Sequence, residues 1–235
     1  MLGRVGFLRP SRSVPVTRWR SPSRWRTSLP TFAILVVGLW IFGTGESVLV
    51  ASNLGVSPWT VLAEGLSAHL PISIGGATFI LSCLVLLLWI PLREKPGLGT
   101  ISNAVVVALA IQVMVPVLPE PANVFVRFAM VVLGIACIGL GSGLYLTTNL
   151  GPGPRDGWMT GIHLRTGWPI TAVRLGIEAV VLVLGWLIGG TVGIGTVMFA
   201  VFIGPSVGYG LLLVGKAGGA NRSVIVEDEH PELEA

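Results

Sequence analysis

The chain has 235 residues, of which 52% are hydrophobic and only 11% charged, with a net charge of +4. A soluble domain carries about 25% charged residues, so this composition excludes an ordinary soluble globular fold and predicts a polytopic membrane protein. The charge is also divided: seven of the fifteen basic residues precede Thr31, where no acidic residue lies, and five of the eleven acidic residues follow Asn221.

Residues 1–29 are rich in Arg, Ser and Pro, with Trp19 and Trp25 interleaved. They lack the apolar core and small-residue cleavage site of a secretory signal. The expectation is a disordered, solvated cytoplasmic tail that leans on anionic lipid. Nucleic-acid binding would need a folded basic surface, and none is legible, so no nucleic-acid partner is expected.

Six membrane-spanning helices are predicted next, at residues 31–51, 72–92, 98–118, 124–148, 170–188 and 194–214. Each is near the roughly 20 apolar residues that a bilayer requires. Each is helical because backbone facing lipid must satisfy its own hydrogen bonds. The fold class is therefore an all-α membrane bundle. Its two halves cover residues 30–118 and 124–215, and each half carries one extra short helix. The first short helix, at 57–70, opens on Ser57 as N-cap and Pro58 at the first helical position. The second, at 153–166, opens on Pro154. Two placements fit these short helices: re-entry into the membrane, or a flat position at the headgroups, where Trp59, Trp158 and Trp168 would serve as interfacial anchors. The acidic tail at 216–235 reads as a second disordered cytoplasmic end.

Loop charges orient the spans. Counting Lys and Arg only, the tail before the first span holds seven, the segment between the first and second spans none, and the next loop Arg93 and Lys95. The loop at 119–123 is bare, the fourth connection has Arg155 and Arg165, and the loop at 189–193 is bare. Lys216 and Arg222 follow the last span. Basic and bare loops alternate, which places both termini in the cytoplasm under the positive-inside rule. Counting the short helices as crossings gives eight spans and puts Arg93 and Lys95 outside, against that rule.

One pattern recurs along the whole span region. Asn53-Leu54-Gly55, Pro58 and Gly65 return as Asn149-Leu150-Gly151, Pro154 and Gly161, at a constant offset (149 − 53 = 96; 161 − 65 = 96). Gly97-Leu98-Gly99-Thr100 returns as Gly193-Ile194-Gly195-Thr196 at the same offset. Gly, Asn and Pro set backbone shape rather than bulk, so the repeated property is a series of breaks. With three spans per half, the second copy enters the membrane inverted. Inverted repeats with interrupted helices are a transporter architecture, with the site between the halves.

The candidate binding residues follow from that placement. Asn53 and Asn149 begin the breaks, and Gly55, Pro58, Gly151 and Pro154 shape them. Glu46 lies deep in the first span. Arg174 and Glu178, four apart, share one face of the fifth span. Charges within spans are costly and face a cavity or a partner. Two roles suit them: a coupled carboxylate at Glu46 with an anion anchor at Arg174, or an internal ion pair. Asp156 suits either a helix cap or the site. The copies disagree at Glu46 against Ser142 and at Trp59-Thr60 against Arg155-Asp156, and any solute-specific chemistry is expected at those mismatches. The paired glycines Gly43/Gly45 and Gly139/Gly141/Gly143 predict close helix contacts. His69 and His163 stand alone, and Cys83 and Cys137 read as buried free thiols. No metal site, cofactor or catalytic constellation is legible, so no enzyme is expected.

The run Asn-Leu-Gly-Val-Ser-Pro-Trp at 53–59, with Pro-Gly-Leu-Gly-Thr at 96–100, resembles the YczE/YyaS/YitT group of bacterial multi-pass membrane proteins, and within it the YczE branch. The resemblance covers about residues 30–215. Branch members often carry an acidic residue after Pro-Trp. Thr60 stands there in this chain, whereas the second copy has Arg155 in place of Trp and then Asp156. The resemblance implies an integral plasma-membrane protein and no settled activity. Spans, repeat and charges together lead to the expectation of a small secondary transporter of a solute or ion, the lipid bilayer being its surroundings. The alternative is a membrane scaffold or regulator acting through its tails.

Overall fold

The computed structural model of the protein describes residues 14–219. Eight helices follow one another, with no strand among the described residues: α1 (Leu29–Ser52), α2 (Pro58–His69), α3 (Ile74–Leu92), α4 (Leu98–Met114), α5 (Val124–Leu146), α6 (Pro154–Thr166), α7 (Ile170–Leu187) and α8 (Ile194–Ala217). α1, α3, α5, α7 and α8 are long and apolar enough to cross a membrane. α4 is apolar and shorter, at 17 residues. The sequence predicts a third span reaching residue 118, but Pro116 removes a backbone donor from the ladder, although Val115 before it keeps helical geometry at φ −55°, ψ −49°. The chain accordingly turns after Met114. Of the acidic tail expected from residue 216, Lys216 and Ala217 belong to α8 and residues 218–219 form a turn, while the rest of it and the residues before Val14 lie outside the described residues.

The helix ends follow local chemistry. Ser28 caps α1 by accepting from the Thr31 N–H, and Asn123 caps α5 by accepting from the Phe125 N–H. α1 stops at Asn53, whose φ of 53° is left-handed, and Asn149 takes the same geometry at 59° after α5. Asn tolerates that region better than most residues. Gly55 and Gly151 follow at φ 108° and 112°, which strongly favours Gly. The chain can therefore reverse twice by the same means and send α2 and α6 back along the bundle.

Glycine contacts bring α1 and α5 together in opposite directions. A methyl at Gly45 would lie 2.7 Å from the Gly134 carbonyl oxygen, and one at Gly141 would lie 2.6 Å from that of Gly38. Such backbone proximity needs small residues, and dispersion between two close backbones holds the pair. α4 packs on α1 at Gly43, and α8 packs on α5 at Gly139 and Gly143. The outer elements pack across the bundle: α2 on α7, and α6 on α3. Two backbone bonds tie the breaks to the helix starts. The Gly99 N–H donates to the Leu150 carbonyl, and the Gly195 N–H to the Leu54 carbonyl, both at 2.7 Å.

Polarity is arranged as in a lipid-facing bundle. Phe125, Leu187, Ile90 and Leu133 are exposed on the outside, while Glu46, Ser47, Thr60, Thr100 and Thr148 are buried. An exposed apolar exterior of this extent marks a membrane surface.

The segment before α1 differs from the expected disordered tail. Thr17 Oγ1 donates to the Thr147 carbonyl, Trp19 Nε1 to Thr147 Oγ1, and the Ser21 N–H to the Thr148 carbonyl. The Arg18 N–H donates to the Gly218 carbonyl, and the Leu98 N–H to the Arg24 carbonyl. This strap covers the ends of α5 and α8 and the start of α4. Composition alone does not reveal it, because its partners are backbone groups more than 70 residues away.

Candidate functional site

The two short helices start at the centre of the molecule. Ser57 precedes α2 in extended geometry, as an N-cap should, but its side chain makes no cap bond. Its hydroxyl donates instead to Glu46 Oε2 at 2.8 Å, and the Thr60 hydroxyl donates to the same oxygen at 2.9 Å. Glu46 is 2% exposed. Its second oxygen, Oε1, has no hydrogen-bond partner among the described residues. The Asn53–Ser57 break thus places two hydroxyls against a carboxylate one helix away.

α6 mirrors this placement with different chemistry. Its first turn carries Arg155 and Asp156 where α2 carries Trp59 and Thr60. The Arg155 guanidinium lies 4.9 Å from the Trp59 ring centroid. It makes no hydrogen bond and no ion pair within 4.0 Å among the described residues. Desolvation lowers the Arg155 pKa from its usual value, and the negative charges of Glu46, Asp156 and Glu178 pull it back. A guanidinium stays protonated under such opposed influences. Asp156 Oδ2 accepts from the Tyr145 hydroxyl at 2.9 Å. Trp59 packs edge-on against Trp158, with ring centroids 6.3 Å apart. Its Nε1 is buried without a hydrogen-bond partner among the described residues.

These groups line a partly open cavity of about 230 Å³, to which all eight helices contribute. Glu46, Asp156, Arg174 and Glu178 line it together with Arg155, Trp59, Tyr145 and Ser142. Arg174 Nε pairs with Glu178 Oε1 at 3.0 Å, as the four-residue spacing on one helix face allows. The Arg174 side chain is 49% exposed, so this pair adds little stability.

Asn53 and Asn149 do not line the cavity. Their side chains face away from it: Asn53 Nδ2 donates to Glu120 Oε2, and Asn149 Nδ2 to the Ser21 carbonyl. They act on the site through the backbone they turn, as do Gly55 and Gly151. Pro58 lines the cavity at the start of α2, whereas Pro154 contributes its carbonyl, which accepts from Trp89 Nε1 at 2.9 Å. Arg155, Tyr145, Ser57 and Thr60 also belong to the site; no local motif marks Tyr145, and Ser57 reads from the sequence only as a helix cap. The mismatch between the copies at 59–60 and 155–156 is the signal that points to Arg155. Among the described residues no group of His, Cys, Asp and Glu could hold a metal ion. The free thiols Cys83 and Cys137 lie apart from the cavity lining.

The chain is similar to proteins of two bacteria. It is 42% identical over 205 residues to an uncharacterized protein of Haemophilus influenzae, covering 87% of this chain and 94% of that one. It is 32% identical over 169 residues to the uncharacterized membrane protein YczE of Bacillus subtilis, covering 71% of this chain and 79% of YczE. It is 28% identical over 166 residues to YyaS of the same organism, covering 69% and 83%. No solved structure is a significant match. The family model described as a family of unknown function, DUF6198, matches residues 29–210, which hold every residue lining the cavity. The apolar exterior, the spanning helices and these relatives together make the chain an integral membrane protein of the YczE/YyaS type, belonging to the DUF6198 family.

Proposed function

We propose that the protein is a small secondary transporter of the plasma membrane, with its solute site in the cavity between two inverted halves. The observation that carries this reading is a charged cavity within a lipid-facing bundle. Glu46 and Arg155 face the same cavity without pairing with each other, and groups of such cost within a membrane protein belong to a pathway or a binding site. The inverted arrangement is supported by the antiparallel α1 and α5. It is also supported by reciprocal contacts related by 96 positions, such as Gly38–Gly141 with Gly45–Gly134 and Gly99–Leu150 with Gly195–Leu54. In this reading α4 is the sixth crossing, since about 17 residues is the lower bound for a spanning helix. α2 and α6 are re-entrant from opposite faces, which is consistent with the burial of Trp59 and of Trp89 against α6. Irregular backbone at membrane depth is tolerated where it lines a cavity. The termini are cytoplasmic, and the protein carries no catalytic role.

The test is uptake of a panel of labelled small solutes by proteoliposomes. Wild type accumulates at least one solute above empty liposomes, and Glu46→Gln and Arg174→Ala both lower the rate. Full rates in both variants would place the site elsewhere. A second reading, a scaffold acting through its tails, draws on the strap, which gives a tail-bound partner a hold on α4, α5 and α8. In that case deleting residues 1–28 and 222–235 abolishes activity while membrane insertion survives.

A further inference from the structure

Resting on the reading of the cavity as the solute site, we propose that it takes a small zwitterion with an apolar body, of the α-amino acid type. Its carboxylate would lie on Arg155 and its ammonium on Glu46.

The charges select this class. Two of the charged lining groups, Arg174 and Glu178, already satisfy each other at 3.0 Å. Asp156 accepts from the Tyr145 hydroxyl and is exposed, so solvent serves its charge. That leaves Arg155, whose planar fork of donors has no hydrogen-bonded acceptor and rests on Trp59, and Glu46, whose Oε1 is open. The two face the same cavity, yet they stop short of the 4.0 Å of an ion pair. A plain anion would satisfy Arg155 and leave Glu46 with an added negative neighbour. A plain cation would satisfy Glu46 and crowd Arg155. Only a ligand bearing both signs, set apart, serves the buried Glu46 and the half-buried Arg155 at once, and a buried charge left without a partner is the costly outcome. A guanidinium fork matches carboxylate geometry. The buried and unpartnered Nε1 of Trp59 is a further donor at the same wall.

Size and polarity narrow the class. The cavity of about 230 Å³ exceeds the roughly 150 Å³ that holds a benzene ring, so one branched chain or one ring fits. Phe42, Ile138, Phe199 and Ile203 supply the apolar wall for such a side chain.

The experiment is equilibrium binding to the purified full-length protein in nanodiscs. The probes are the zwitterions L-alanine, L-leucine and L-phenylalanine, with two matched mono-ions, 4-methylvalerate and 3-methylbutylamine. At least one zwitterion is expected to bind about tenfold or more tightly than either mono-ion, the difference that one charged hydrogen-bond partner makes. Glu46→Gln should weaken that zwitterion about tenfold while 4-methylvalerate, freed of a like charge, binds no more weakly, and Arg155→Gln should weaken it while 3-methylbutylamine binds no more weakly. Arg155→Lys, which keeps the charge and loses the fork, should fall between wild type and Arg155→Gln and covers the case in which Arg155→Gln does not fold. A mono-ion that binds as tightly as every zwitterion overturns the proposal, as does the absence of zwitterion binding. Zwitterion binding without uptake in proteoliposomes overturns transport and leaves the site assignment standing. Uptake of another solute with no zwitterion binding does the reverse.

Discussion

Arg155 lies with its guanidinium 4.9 Å from the ring centroid of Trp59, and the two residues hold the same place in the two proline-led short helices, 96 positions apart. The first turns of α2 and α6 thus meet face to face, one supplying an aromatic surface and the other a cation. Equivalent positions that differ in chemistry complement each other across the centre of the molecule.

This stack predicts a measurable coupling. A cation over an aromatic face is worth about 0.5–2 kcal/mol. A double-mutant cycle of Trp59→Leu and Arg155→Gln, read by thermal unfolding in detergent, should show a coupling of that size. Trp59→Phe, which keeps the face, should retain most of it. Strict additivity of the single changes would dismiss the contact.

The α1–α5 contact should be intolerant of bulk. At Gly45 a methyl meets the Gly134 carbonyl oxygen at 2.7 Å, whereas at Gly176 in α7 nothing lies within 4 Å. Gly45→Val should destabilise by about 1–3 kcal/mol or more through overpacking. Gly176→Ala should be neutral or should stabilise by about 0.5–1 kcal/mol, because Ala is the better helix former. Unfolding midpoints of the two variants, compared side by side, decide the matter.

The two left-handed asparagines should respond differently to Gly, which suits the same backbone geometry. Asn149→Gly loses the bond to the Ser21 carbonyl that holds the strap, at a cost of about 1 kcal/mol. It should also change the environment of Trp19, which is readable by fluorescence. Asn53→Gly loses only an exposed bond to Glu120 and should stay within about 0.5 kcal/mol of wild type.

Glu64 in α2 gives a pH signature. Burial raises its carboxyl above the ordinary 4.5, the Thr191 backbone N–H at 2.8 Å opposes that shift, and the charge of Glu46 adds to it. The fold therefore favours the neutral form. The stability this contributes is complete below 4.5 and is lost as pH rises through the raised value. Glu64→Gln should match wild type at about pH 4 and exceed it in unfolding temperature at about pH 7. A constant difference across that range would refute the assignment.

Orientation is testable by thiol labelling on a background lacking Cys83 and Cys137. Lys95→Cys and Arg165→Cys should react only from the cytoplasmic side, and Glu120→Cys and Val192→Cys only from the opposite side. All four positions are exposed. Labelling of Lys95→Cys from outside would invert the topology.

Much of the architecture was legible in the chain because it is set by local properties. Apolar length defines the long helices, Asn-Leu-Gly and Pro define the breaks, and the constant offset announces that both breaks have one shape. The Arg174–Glu178 pair was legible for the same reason, since four residues on a helix fix a distance. Pro116, by contrast, cut α4 short where hydropathy alone runs on to residue 118.

What the chain by itself determined, then, is where helices run and where they stop, because backbone geometry and the bilayer's demand for satisfied hydrogen bonds act residue by residue. Only the tertiary structure decided which charges meet. Ser57 reaches Glu46 because the Asn53–Gly55 reversal brings α2 back beside α1. Arg155, which the sequence marks only as a mismatch between the copies in a basic connection, becomes a cavity residue because its guanidinium packs over Trp59. Asn53 and Asn149, which look like site residues in the sequence, turn the chain instead and aim their amides elsewhere. Each of these outcomes depends on contacts between residues distant in sequence or across a break, and no local periodicity encodes which partner a side chain finds after the chain reverses.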